Sequence, residues 1–226
     1  MNKKTSFAGS FYPENPEELN NLLNSFKEEQ TFDYKSKAII VPHAGYAYSG
    51  HAMMSAYQHL EANENIFIIA PSHHESFNNI ALPEYSFFET PLGNLEVNNK
   101  LISEIAEKFP SIVADEVFEN EHSIEVQLPF IQNMFLPHKQ SAVDFVKKLK
   151  KIGKKIKIVP VLVGNCDYRL ISDLISAYWE ESSFIISSDL SHYYTQQQCR
   201  QIDTYTATVI ETGRIEFLEP QQACGI

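Results

Sequence analysis

Imidazole and carboxylate side chains collect at three places along this chain, each directly after a short apolar run. "KAIIVP" (37–42) is followed by His43, and "NIFIIAP" (65–71) by Ser72 and the adjacent pair His73 and His74. "SFIISSD" (183–189) ends in Asp189, with His192 shortly after. These groups serve metal ligation and proton transfer near neutral pH. A histidine pair does nothing for a strand end, so its placement asks for a reason. Taken singly, each residue has a plainer reading. One histidine after a strand is usually a loop or capping residue, and neighbouring side chains diverge, so at most one of His73 and His74 faces a common site. His51 and His59 fall on a predicted helix as surface or half-buried groups, and His138 follows a proline in a loop. The convergence of several strand ends, rather than any one residue, points to a site.

"NEHSIEVQLPF" adds His122 and Glu125 at i, i+3, hence on one helix face, with Glu121 at the start of the same turn where an acid favours the N-terminus. His122 is a candidate acid/base or supporting group; a cap and a surface pair is the competing reading, and both stay open. "KKLKKIGKKIK" (147–157) is lysine-rich, which suits phosphate or membrane binding, but Val146, Leu149 and Ile152 recur three apart. An amphipathic connecting helix with a solvated face is the stronger reading. "HAGYAYSG" lacks the lysine and spacing of a phosphate-binding loop, and neither a CxxC pair nor an HExxH is present.

The elements that would position these groups alternate. Helices are predicted over 15–29 (Asn cap, then proline and early acids), 49–60, 98–109, 120–135 with a break or kink near Pro129, 167–181, and 194–213 stopped by Gly213. Strands are predicted over 37–42, 65–71, 155–164 and 183–189. The strands are apolar throughout rather than at every second residue. That pattern predicts an α/β fold with a mainly parallel sheet covered by helices on both faces. In such sheets ligands bind beyond the carboxyl ends of the strands, where the histidines fall. With no internal repeat and no low-complexity linker, the chain, 1–226, reads as a single domain.

Composition narrows the function. The 226 residues are 43% hydrophobic and 21% charged, with a net charge of −11, which argues against nucleic acid as a partner. Three scattered cysteines, Cys166, Cys199 and Cys224, favour a reducing compartment over a disulfide framework. The basic N-terminus has no apolar run after it, and no apolar segment is long enough to span a bilayer, so no membrane role and a cytoplasmic location are expected.

"AGSFYP", "PHAGYAYSG", "PSHH", "HSIEVQLP", "VPVLVG", "SSDLSHY" and "ACG", in this order from Ala8 to Gly225, resemble the Memo family, whose microbial members are often called AmmeMemoRadiSam system protein B. The resemblance implies a fold like that of class III extradiol dioxygenases, which are non-haem iron enzymes. It also implies a metal centre built from His43, His73 and Cys224, holding iron or copper, with zinc compatible. Asp189 and His192 would line the same pocket as catalytic residues, His192 as proton donor and Asp189 as its orienting partner, with His122 in support. A metal-dependent oxidoreductase with an unknown substrate is the implied function. Its rival is a non-enzymatic protein that binds a peptide or partner in the same pocket. Radical-SAM and AMMECR-type proteins are the implied partners. Family members continue beyond the "CG" motif with a further helix and strand, so Cys224 is expected in a poorly ordered tail unless something ties it down.

Overall fold

The computed structural model describes residues 1–27, 34–136 and 156–224. His138 and most of the lysine-rich stretch lie outside the described residues. The elements begin with β1 (Asn2–Lys3), α1 (Pro16–Ser25), β2 (Ala38–Val41), α2 (Tyr46–Tyr57) and β3 (Asn65–Pro71). There follow β4 (Ile80–Leu82), β5 (Phe87–Thr90), β6 (Gly93–Glu96), α3 (Asn99–Lys108) and β7 (Ser111–Val113). Then come three short helices, α4 (Glu116–Glu119), α5 (His122–Glu125) and α6 (Leu128–Phe135). The described chain closes with β8 (Lys157–Val163), α7 (Tyr168–Tyr178), β9 (Ser182–Ser187), α8 (Gln196–Thr212) and a single 3-10 turn (Ile215–Phe217).

The expected α/β organisation is present. Six strands form one sheet in the order β2-β9-β3-β8-β4-β7, parallel at every pairing except β4 with β8. Ile66–Ala70 of β3 and Ile158–Leu162 of β8 are buried without interruption, as strands covered on both faces must be. The register fixes where the chemistry falls. Val41 pairs with Ser187, Ile69 with Ile186, and Pro71 with Val163. β2, β3, β8 and β9 therefore end along one edge, and His43 and His73 each follow two residues later.

Local signals explain the helix boundaries. The Asn15 side chain accepts from the Glu17 and Glu18 N–H groups, and Pro16 occupies the first position of α1, where its missing N–H is harmless. Gly213 ends α8 in the left-handed conformation, φ 65°. The proposed break near Pro129 lies just before it: α5 stops at Glu125, and the proline sits in the first turn of α6. Helix α2 starts at Tyr46, ahead of the expected Ser49, because Gly45 already serves as its N-cap.

A second sheet was not legible in the sequence. It has the order β1-β5-β6, with β5 and β6 in a hairpin turning at Pro91 and Leu92 and with Gly93 at φ 121°. Its strands, like β4 and β7, are too short for a periodic signal. β1 matters beyond its length, because Lys3 is buried and its ammonium lies 3.1 Å from Glu125 Oε2. The same carboxylate accepts from the Ser6 N–H, the Phe7 N–H at 2.8 Å and the Tyr12 hydroxyl at 2.7 Å. Glu125 thus faces the N-terminal segment, leaving the expected pairing with His122 to another acid. Among the described residues, no helix is long and apolar enough to cross a membrane.

Breaking a buried ion pair on one side strands the other charge. Glu125→Gln should therefore cost about 3–5 kcal/mol in chemical denaturation. Lys4→Ala, which removes an exposed pair with Glu89, should leave the transition midpoint unmoved.

Candidate metal centre

Three imidazoles converge at the sheet edge. One ring nitrogen from each of His43, His73 and His122 lies within 4.8 Å of the other two. The ring centroids are separated by 5.0 Å (His43–His73), 5.2 Å (His43–His122) and 4.7 Å (His73–His122). Two arrive from strand ends. The third opens α5, which the Ser123 hydroxyl ties to the end of β3 by donating to the Pro71 carbonyl.

Each ring is oriented from behind. His43 is buried, and its Nδ1 lies 3.1 Å from the Ser187 hydroxyl, while its backbone N–H donates to Asp189 Oδ1 at 2.7 Å. Glu121 serves the other two rings. Oε2 accepts the His73 N–H at 2.7 Å, and Oε1 lies 2.9 Å from His73 Nδ1 and 3.4 Å from His122 Nδ1. Glu121 also caps α5, accepting the Ser123 N–H at 3.0 Å. The acid that looked like a helix-start residue is thus a buried carboxylate facing two imidazoles. Phe7 and Phe11 cover His122, with ring centroids at 5.7 and 5.0 Å. They come from the segment that Glu125 holds down.

These surroundings separate the three rings electrostatically. Burial lowers His43 to about 4, so it is neutral near pH 7. Burial lowers His122 as well. His73 moves the other way, up to about 10, through its hydrogen bond to the Cys224 side chain and then that to Glu121. For Glu121 burial alone would raise the carboxyl, but bonds from the His73 ring and N–H and from Ser123 outweigh it and bring it down to about 2.

Cys224 lies against His73, outside the mutually close trio of nitrogens. Its backbone is clamped: the Cys224 N–H donates to the Asp189 carbonyl at 3.0 Å, and the Ser188 hydroxyl donates to the Cys224 carbonyl at 2.9 Å. The residue expected in a loose tail is tied to the loop after β9. A cleft of about 440 Å³ opens beside it, lined among others by His73, His74, Phe77, Asn165 and Cys224. Of the adjacent pair, His73 turns into the centre and His74 lines the exposed cleft. Asp189 bonds to His43, with Oδ2 also 3.8 Å from His43 Nε2. His192 is exposed, its Nδ1 on the Leu190 carbonyl at 2.8 Å and its ring against Tyr193. His51 packs on Phe26 from the middle of α2, and His59, just past its end, stacks on Tyr34.

The Memo-like protein family model matches residues 3–220 of this chain. This chain belongs to the Memo family. A "MEMO1 family protein" of Aquifex aeolicus is 33% identical over 96% of this chain and 77% of its own length. One from Thermoplasma volcanium is 35% identical over 85% of this chain and 68% of its own. "Protein MEMO1" of Xenopus tropicalis is 30% identical over 97% and 75%. The Memo match takes in all three converging histidines and Glu121, and it stops short of Cys224.

Sequence reasoning read Glu121 only as a helix-start acid and passed over Ser187, Gln127 and the two phenylalanines. All of them lie in or directly beside the Memo motifs "AGSFYP", "HSIEVQLP" and "SSDLSHY". What was missing was any signal that distant segments share one carboxylate. In metal-free protein, histidine NMR at pH 7 should find His73 protonated and His43 neutral. Glu121→Gln and Cys224→Ser should each lower the His73 pKa towards 6.5. Because His73 binds its proton more tightly folded than unfolded, that stabilisation is complete below about pH 6.5 and is lost as pH rises through about 10. A wild-type His73 titrating near 6.5 would contradict the arrangement.

Proposed function

We propose that this Memo-family chain holds a redox-active transition metal, iron or copper, on His43, His73 and His122 with the Cys224 thiol beside them, and that the centre acts on a small substrate entering from the cleft. The observation that carries this reading is the approach of three imidazole nitrogens to within 4.8 Å of one another. Imidazoles with one neighbouring thiol suit iron, copper or zinc and do not suit magnesium or calcium. The partner of each ring supports the fit, since ligating histidines characteristically give their second nitrogen to a buried acceptor. A bound iron or copper ion would supply a Lewis acid and a one-electron couple.

The chain's own residues handle position and protons. His43 is neutral and ready to ligate, whereas His73 must release its proton as a metal arrives, so loading is linked to pH. Glu121, against Nδ1, holds the hydrogen that stays on the ring, so the proton released is the one on Nε2, and the ring stays aimed. Asp189, partly exposed and bonded to the His43 N–H, is our candidate to exchange a proton with a substrate, with the exposed His192 as the alternative. The sheet edge that carries two histidines past parallel strand ends supports a fold like the class III extradiol dioxygenases. Three free cysteines support a reducing, cytoplasmic setting.

Metal analysis of protein purified under reducing conditions tests the reading. Near-stoichiometric iron or copper is expected in wild type and should be lost in His43→Ala, His73→Ala and His122→Ala. If Cys224→Ser keeps full occupancy while His122→Ala does not, the trio of imidazoles is the ligand set; the reverse result makes it His43, His73 and Cys224. Oxygen uptake by the loaded protein would favour an enzyme. A protein that takes up no metal even when loaded anaerobically is instead a peptide- or partner-binding member of the family.

A further inference from the structure

Behind His43 runs a fully buried chain of polar groups that no part of the metal chemistry requires for ligation. Tyr57, Gln127 and Ser123 are inaccessible to solvent, and Ser187 and His43 are each 1% exposed. The Gln127 side-chain amide lies 2.9 Å from the Pro42 carbonyl and 2.9 Å from the Ser187 hydroxyl oxygen, and its Oε1 is 3.0 Å from the Tyr57 hydroxyl. Ser187 Oγ is 2.7 Å from the Ser123 carbonyl and 3.1 Å from His43 Nδ1.

Counting hydrogens removes the ambiguity. Carbonyl oxygens only accept. The Pro42 carbonyl therefore fixes which end of Gln127 is NH₂, and its second N–H goes to Ser187 Oγ. The Ser123 carbonyl takes the single Ser187 hydroxyl hydrogen. Ser187 Oγ has then nothing left to donate, so the contact with His43 forms only if His43 Nδ1 carries the hydrogen. Nε2 is left as a bare lone pair, on the side of Asp189 Oδ2 and the other rings.

We infer that Ser187 and Gln127 are positioning residues that lock His43 in its Nδ1–H tautomer, so that the ring presents Nε2 for ligation before any metal arrives. This rests on the metal-binding reading for its purpose, but the tautomer itself is a property of the metal-free protein. The two residues also tie three elements together at the point of use: the end of β2 through Pro42, the end of β9 through Ser187, and the residues following α5 through Gln127. A ring free to flip would present the wrong nitrogen in part of the population and weaken binding in proportion.

The test uses long-range ¹H–¹⁵N NMR of the histidine rings in the metal-free full chain, with Zn²⁺ as a diamagnetic probe of affinity. Wild type should show His43 as the Nδ1–H tautomer alone. Ser187→Ala should give a mixture of tautomers and bind Zn²⁺ about 10- to 100-fold more weakly, the usual size for losing a partner behind a ligand. Leu174→Ala, a cavity in the packing of α7, controls for lost stability alone and should change neither readout. A wild-type His43 with its hydrogen on Nε2 would overturn the inference, even if Ser187→Ala failed to fold. So would unchanged tautomer and affinity in Ser187→Ala. If wild type shows the Nδ1–H tautomer yet takes up no Zn²⁺, iron or copper, the metal reading fails and the tautomer lock stands.

Discussion

One turn of helix carries the arrangement of the whole site, because α5 has a buried carboxylate at each end. Removing a carboxylate from water costs several kcal/mol unless its oxygens are met by donors. Glu121 is met by the ring and backbone of His73 and by Ser123, with His122 Nδ1 nearby; Glu125 is met by Lys3, Ser6, Phe7 and Tyr12. None of these donors except Ser123 and His122 is near in sequence. Satisfying both acids forces the N-terminal segment and the β3 loop onto the same short helix. The N-terminal segment then brings Phe7 and Phe11 against His122. An apparently peripheral stretch is in this way a wall of the centre.

The sheet supplies the other half of the constraint. In a parallel sheet neighbouring strands end on the same side, so residues following β2, β3 and β9 meet without further design. The register makes this concrete, with Val41 beside Ser187 and Ile69 beside Ile186. Ser187 at the end of one strand can thus reach the ring that follows its neighbour, and Asp189 can hold that ring's backbone. β4 runs antiparallel to β8 and enters at this same edge, where the Asn79 N–H donates to the carbonyl of Asn165, a residue that lines the cleft.

The three imidazoles are chemically unequal before any metal is present. His43 is neutral through burial, and His73 holds its proton between a carboxylate and a thiol. Membership of the Memo family does not by itself decide what such a centre does, since function belongs to sites rather than folds. What the geometry does provide is orientation, proton control at His73 and a cleft beside Cys224.

The sequence by itself determined the alternating elements, the apolar strands of a covered parallel sheet, the strand-end placement of His43 and His73, and the family, through seven ordered motifs. These are legible because they are local or periodic: a cap, an apolar run, a histidine two residues past a strand. Tertiary structure alone decided that His122 joins the two strand-end rings, that Glu121 rather than Glu125 faces them, and that Cys224 is clamped by the loop after β9. At i, i+3 spacing Glu125 shared a face with His122 on paper. Its carboxylate went instead to the densest set of donors, four residues of the N-terminal segment, because a buried charge settles where hydrogen bonds are available and not where helical periodicity points. The small sheet and the tautomer of His43 have the same origin. Both depend on which groups from distant segments meet out of water, and no local pattern records that.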